Sequence, residues 1–174
     1  MLNIYVNTWG NYNENGADGG EWVTLPMDAD ELEETMERIA ENMGDADPEF
    51  FINDYEWTTE ESICEIHEMD NITELNELCE RLDELDSWEQ NVVFAYLECM
   101  NNDINEALDI VERGNFVFYP DMDLEDVAIE YVNECVFTKE TPEILTKYFD
   151  YDAFARDLGF DGYHETKWGV LYVG

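Results

Sequence analysis

The chain has 174 residues, with 45 Asp and Glu against 7 Lys and Arg, for a net charge of −38. Its 45% apolar and 14% aromatic content excludes charge-driven disorder, which requires few apolar and aromatic residues. No run approaches the roughly 18–20 apolar residues that cross a bilayer.

Residues 2–8 read as a strand, with Leu2, Ile4 and Val6 alternating with Asn3, Tyr5 and Asn7. An Asn- and Gly-rich loop is expected over 10–20, then a second strand over 21–25 ended by Pro26. Asp28 is a helix cap, and the helix runs to about Met43 before Gly44. Its Leu32, Met36, Ile39 and Ala40 share one face, with Glu33, Glu34, Glu37 and Glu41 on the other. Residues 50–56 read as a third strand. Together these form a first unit, residues 1–59, with a three-stranded sheet and one helix.

The middle, residues 60–113, reads as a helical bundle. A short helix is expected over 60–69. The next is capped by Asn71 or Thr73 and carries a Leu75, Leu78, Cys79 and Leu82 stripe. Ser87-Trp88-Glu89-Gln90 fits a capping box opening a helix to about Met100, and Asp103 opens another that ends before Gly114.

A C-terminal α+β unit is expected over 114–174. Residues 115–119 form an apolar strand closed by Pro120. Asp123 caps a helix to about Phe137 with Leu124, Val127, Ala128, Tyr131, Val132 and Cys135 inward. Pro142 occupies the first position of a further helix, residues 151–158 form another that ends at Gly159, and residues 162–166 and 169–173 pair as a hairpin. The fold class is α+β, an elongated chain of three small units.

Recognised catalytic patterns are missing. There is no G-x-G-x-x-G, no G-x-x-x-x-G-K-[ST], no G-x-S-x-G and no EF-hand loop. His67 and His164 lie far apart, and Cys64, Cys79, Cys99 and Cys135 form no C-x-x-C pair, so they read as small buried residues. Cys64 and His67, i and i+3 on the expected helix, have no second pair at zinc spacing. Neither a cofactor nor a metal ion is expected. The N-terminus lacks the basic and long apolar regions of a signal peptide, and cytoplasmic residence is expected.

The acids run through the whole chain: 16 in residues 1–60, 16 in 61–113 and 13 in 114–174. Duplex DNA carries about one charge per ~1.7 Å, so 38 charges match roughly 19 base pairs. Helical carboxylates at i and i+4 are roughly 6 Å apart. Glu33/Glu37/Glu41, Glu61/Glu65, Glu80/Glu84 and Glu130/Glu134 repeat that spacing without the bases that normally relieve it. Such a surface imitates a phosphate backbone and suits a basic DNA-binding groove. Nucleic acid itself and anionic membranes are not expected partners. The working acids are read as Glu33, Glu37, Glu41, Glu80, Glu84, Asp109, Glu112, Glu130 and Glu134. Three other readings remain open: an inhibitor or chaperone of another basic protein, a magnesium-dependent carboxylate enzyme, and a salt-adapted surface.

Particular segments resemble ArdA antirestriction proteins. They are Ile4-Tyr5-Val6, Asn11-Tyr12-Asn13, Gly20 before Trp22, Phe51-Ile52-Asn53-Asp54-Tyr55-Glu56 and Tyr151-Asp152-Ala153-Phe154-Ala155-Arg156-Asp157-Leu158. The resemblance spans nearly the whole length in the same order. It implies a non-enzymatic protein of conjugative plasmids and transposons. It further implies an elongated acidic homodimer that occupies the DNA groove of Type I restriction-modification enzymes, on their specificity and methyltransferase subunits. The apolar strand supplies the expected dimer interface, Phe116, Phe118 and Tyr119, since a strand apolar on both faces is either central in a sheet or covered by a partner. Phe118→Asp is accordingly expected to give folded monomers.

Overall fold

The computed structural model describes residues 1–59, 63–100 and 103–174. The chain divides into two compact units, Met1–Asp86 and Ser87–Gly174, each with its own three-stranded sheet. The class is α+β, with both sheets antiparallel.

In the first unit β1 (Leu2–Thr8) lies between β2 (Glu21–Leu25) and β3 (Phe50–Trp57). Leu2 faces Leu25 and Trp57, and Ile4 faces Val23 and Tyr55, so the alternating apolar side chains stack across three strands. A register shift after Tyr5 brings Val6 opposite Ile52. Leu2, Ile4 and Val6 are fully buried.

The expected loop over 10–20 is instead mostly helical: α1 (Trp9–Asn15) and one 3₁₀ turn (Ala17–Gly19). Asparagine causes the difference. Asn7, Asn11 and Asn15 stand four residues apart, and their amides bond in series at 2.8 Å. The Thr8 hydroxyl accepts the Asn11 amide, capping the helix.

Asp28 caps α2 (Ala29–Met43), and Gly44 ends it with φ 69°. Asn71 caps α3 (Ile72–Glu84), and the stripe of Leu75, Leu78, Cys79 and Leu82 is buried. No helix forms over residues 63–70; the start of the expected helix at 60–62, with Glu61, lies outside the described residues. The helical spacing of Cys64 and His67 is therefore lost. The Cys64 carbonyl instead accepts the Trp57 indole, and the His67 amide donates to Asp70.

In the second unit α4 (Ser87–Cys99) and α5 (Ile104–Arg113) pack together. The helices of the expected 60–113 bundle are thus split, α3 joining the first sheet and α4 and α5 the second unit. Here β6 (Gly169–Val173) is central, between β4 (Phe116–Pro120) and β5 (Tyr163–Thr166). Phe118 pairs with Leu171, while Tyr119 pairs with Val170 on the opposite face. Trp88 of α4 meets the rings of Phe116 and Phe118 on one side. Val170 packs with Val127, Ala128, Ala155 and Leu158 of α6 (Leu124–Tyr131) and α8 (Tyr151–Phe160) on the other. Helices cover both faces, which is why β4 is apolar on both faces although it is an edge strand. Gly169, at φ 133°, lies where a Cβ would run into the Tyr119 carbonyl.

Past Tyr131 the helix widens into one π turn, Val132–Val136, closed by the Phe137 amide donating to Val132 five residues back. The extra residue rotates the following positions off the inner face. Val132 stays buried, but Tyr131 and Cys135 are exposed, against the expected inward placement. Of the four cysteines only Cys79 is buried. Pro142 sits one position before α7 (Glu143–Lys147), and α8 continues through Gly159 to Phe160.

Candidate functional site

No described Asp or Glu is buried; the buried polar residues are Asn7, Thr8, Asn11, Asn76 and Thr166. Carboxylates lose too much hydration to enter either core without a partner. They accumulate on the outer faces of helices whose inner faces the sheets bury.

In the first unit Glu33, Glu37 and Glu41 stand exposed in one row along α2. They border a cleft of about 1250 Å³ whose other wall is α3, with Glu77 and Glu80, and the turn before it, with Asp70. Leu32, Met36, Ala40, Phe50 and Ile72 line the same cleft. The structure thus brings four of the nine predicted acids to one place.

Asn76 organises this cleft and escaped the sequence reading. It is 3% exposed on α3, yet fully bonded. Its amide nitrogen donates to the Met27 carbonyl at 2.8 Å and to the Glu80 carboxylate at 3.0 Å, while its oxygen accepts the Met27 amide at 2.9 Å. It ties α3 to the β2–α2 connection and holds Glu80 at the rim. A lone Asn within the Leu75–Cys79 stripe was the available signal.

Glu84 is exposed near the end of α3. In the second unit Asp109 is less available than expected: Arg113 pairs with it at 2.7 Å across one helical turn. Glu112 is exposed on the same helix. Glu130 on α6 and Glu134 in the π turn flank the Tyr119 hydroxyl, whose pKa is raised by burial first and then by their charge. Burial likewise raises Tyr96, and Glu106, which accepts its hydroxyl, adds to the shift.

Phe116, Phe118 and Tyr119 are packed within their own unit. Phe118 is 8% exposed, Phe116 lies 5.5 Å from Trp88, and Tyr119 joins the α6–α8 cluster. Along β4 the exposed side chains are Val117, 44% exposed, and the terminal Pro120. β4 pairs with β6 alone, so its second edge is unpaired among the described residues.

Among the described residues no three His, Cys, Asp or Glu side chains gather closely enough to hold a metal ion. Burial pushes the Cys64, Cys79 and Cys99 thiols up to about 11, which disfavours thiolate nucleophiles at those positions. No described helix is long and apolar enough to cross a membrane. What the arrangement provides is a dense, solvated field of fixed negative charge.

A family model described as antirestriction protein (ArdA) matches residues 4–172. No curated protein gives a significant match.

Proposed function

The chain belongs to the ArdA family of antirestriction proteins, and on that premise we propose that it acts by imitating the charge of duplex DNA. Its carboxylates occupy the DNA-binding groove of a Type I restriction-modification enzyme, on the specificity and methyltransferase subunits, and keep DNA out. No reaction is catalysed. Incoming DNA of a mobile element escapes cleavage in the cytoplasm while the groove is filled.

The observation that carries this reading is the exposure of most of these acids together with the i, i+4 row of Glu33, Glu37 and Glu41 along α2. Among the described residues no base pairs with Glu33, Glu37, Glu41, Glu130 or Glu134. Such rows attract a basic groove by the field that attracts phosphates, and the gain weakens with salt. The scaffold holds the carboxylates in place, which lowers the ordering cost of binding.

We also propose a homodimer that uses the free edge of β4 and Val117. Backbone groups on that edge offer a row of hydrogen bonds to a second strand. Phe116, Phe118 and Tyr119 support the edge from behind.

The test is a competition titration with a Type I methyltransferase core and its labelled cognate duplex at two salt concentrations. Stoichiometric displacement, weaker at high salt, is expected. Absence of displacement at both concentrations refutes the Type I reading and leaves other basic partners to be tried.

A further inference from the structure

The cleft between α2 and α3 has a feature that charge mimicry does not require. Its floor is apolar. Leu32 and Ala40 are buried there, while Met36, Phe50 and Ile72 are half-buried and Met69 is 70% exposed. Around this floor stand seven carboxylates, those of Glu33, Glu37, Glu41, Asp45, Asp70, Glu77 and Glu80, and no base lines the cleft among the described residues. An acidic surface made for counterions alone gains nothing from exposed methionine and isoleucine, which cost free energy in water.

We infer that this cleft is the docking site for a basic amphipathic helix of the partner protein. The inference rests on the antirestriction reading and deepens it, naming the segment that the first unit holds. Three properties select the occupant. The floor matches the apolar stripe of a helix, whose side chains recur at i, i+3, i+4 and i+7. The rims match lysines or arginines flanking that stripe, whose aliphatic stems lie along apolar surface while their charged heads reach the carboxylates. The size fits as well: a helix ~10 Å in diameter fills about 1250 Å³ over roughly three turns. Asn76 is a positioning residue here, fixing Glu80 and the α3 wall.

Met69, exposed, and Met36, half-buried, are the two methionines of this floor. Unbranched thioether side chains adapt to the contours of an incoming helix.

The experiment uses the whole protein and two fluorescein-labelled helical peptides of about 14 residues, roughly four turns. One carries leucines along one face and lysines elsewhere; the other has alanine at each leucine position and the same charge. Binding is read by anisotropy at two salt concentrations. The leucine peptide is expected to bind roughly tenfold more tightly, since its side chains leave water on the floor. Met36→Ser with Ile72→Ser should abolish that preference and leave the weak binding of the alanine peptide. Glu33→Gln, Glu37→Gln and Glu41→Gln together should weaken both peptides. Equal affinity of the two peptides for the unaltered protein overturns the inference without recourse to any variant. A preference that survives in a folded Met36→Ser, Ile72→Ser protein overturns it too. The outcomes separate from those of the competition titration. DNA displacement without a leucine preference removes the cleft and spares the antirestriction reading; a leucine preference without displacement does the reverse.

Discussion

The two units share a layout and differ in what they expose. Each has a three-stranded antiparallel sheet with helices. The first holds 26 acids and two bases, a net −24; the second holds 19 acids and five bases, a net −14. Exposed apolar residues run the other way. In the first unit the large ones are Met1, Tyr12, Trp22 and Met69. In the second, Ile144, Leu145, Tyr148 and Phe160 are each more than half exposed, with Lys139, Lys147 and Arg156 nearby in sequence. Two bodies of like charge associate only where apolar contact outweighs repulsion. The difference between the units therefore suggests a division of labour. On the charge-mimic proposal the first would present charge to a basic partner, while the second, less charged and more apolar, carries the β4 edge and Val117 of the proposed dimer.

The sharpest way to break this comparison is Phe118→Asp. Because Phe118 is buried against Trp88, the substitution places a charge in the second unit's core. It should cost about 3 kcal/mol or more and unfold that unit, seen as a lost thermal transition. Folded monomers, expected from the strand pattern alone, are instead predicted for Val117→Asp, with mass measured by light scattering. A folded Val117→Asp dimer would rule out the β4 edge as the interface.

In the first unit Asn76→Ala leaves the Met27 amide and carbonyl without their partner. A loss of about 2 kcal/mol is expected in urea unfolding, with the second unit's stability unchanged. An equal loss in both units would contradict their independence.

Neutralising Glu33, Glu37, Glu41 and Glu80 to Gln should weaken DNA displacement by about 1–3 kcal/mol and flatten its salt dependence. The same treatment of Asp109, Glu112, Glu130 and Glu134 should do less, because Arg113 already offsets Asp109. If the second set costs more, the assignment of the charged role to the first unit is wrong.

The smallest effect concerns thiols. Cys135 alone is exposed, so a maleimide at neutral pH should label it first, and Cys135→Ser should remove the fast phase. Cys64, Cys79 and Cys99 have raised folded-state values, so the stability they contribute is present at neutral pH. It is lost as pH rises from 9.0 towards about 11, since the unfolded chain ionises first. Alkaline melts should decline over that window.

Much of the local structure was legible. The period-2 run at residues 2–8 located β1, and short runs at 21–25, 50–56, 115–119, 162–166 and 169–173 located the other strands. Caps such as Asp28, Asn71, Asp103 and Asp123 marked helix starts because their side chains satisfy first-turn amides that have no partner within the helix. The exceptions come from local side-chain bonding and a local change of helix period, which composition and a fixed 3.6-residue repeat do not report. Residues 10–20 looked like a loop by composition, yet the Asn7–Asn11–Asn15 ladder and the Thr8 cap make residues 9–15 a helix. The inner face beyond Tyr131 was misplaced because one π turn shifts the period.

The sequence by itself determined the charge, the family and the type of most elements, because those depend on residue chemistry and spacing along the chain. Only the tertiary structure decided which acids meet. Glu80 lies across a cleft from Glu33, Glu37 and Glu41, from which it is separated in sequence by β3, residues 58–71 and half of α3. It also decided that β4 is an edge strand with both faces covered, since strand order depends on where the C-terminal hairpin returns and not on any property of Phe116–Tyr119.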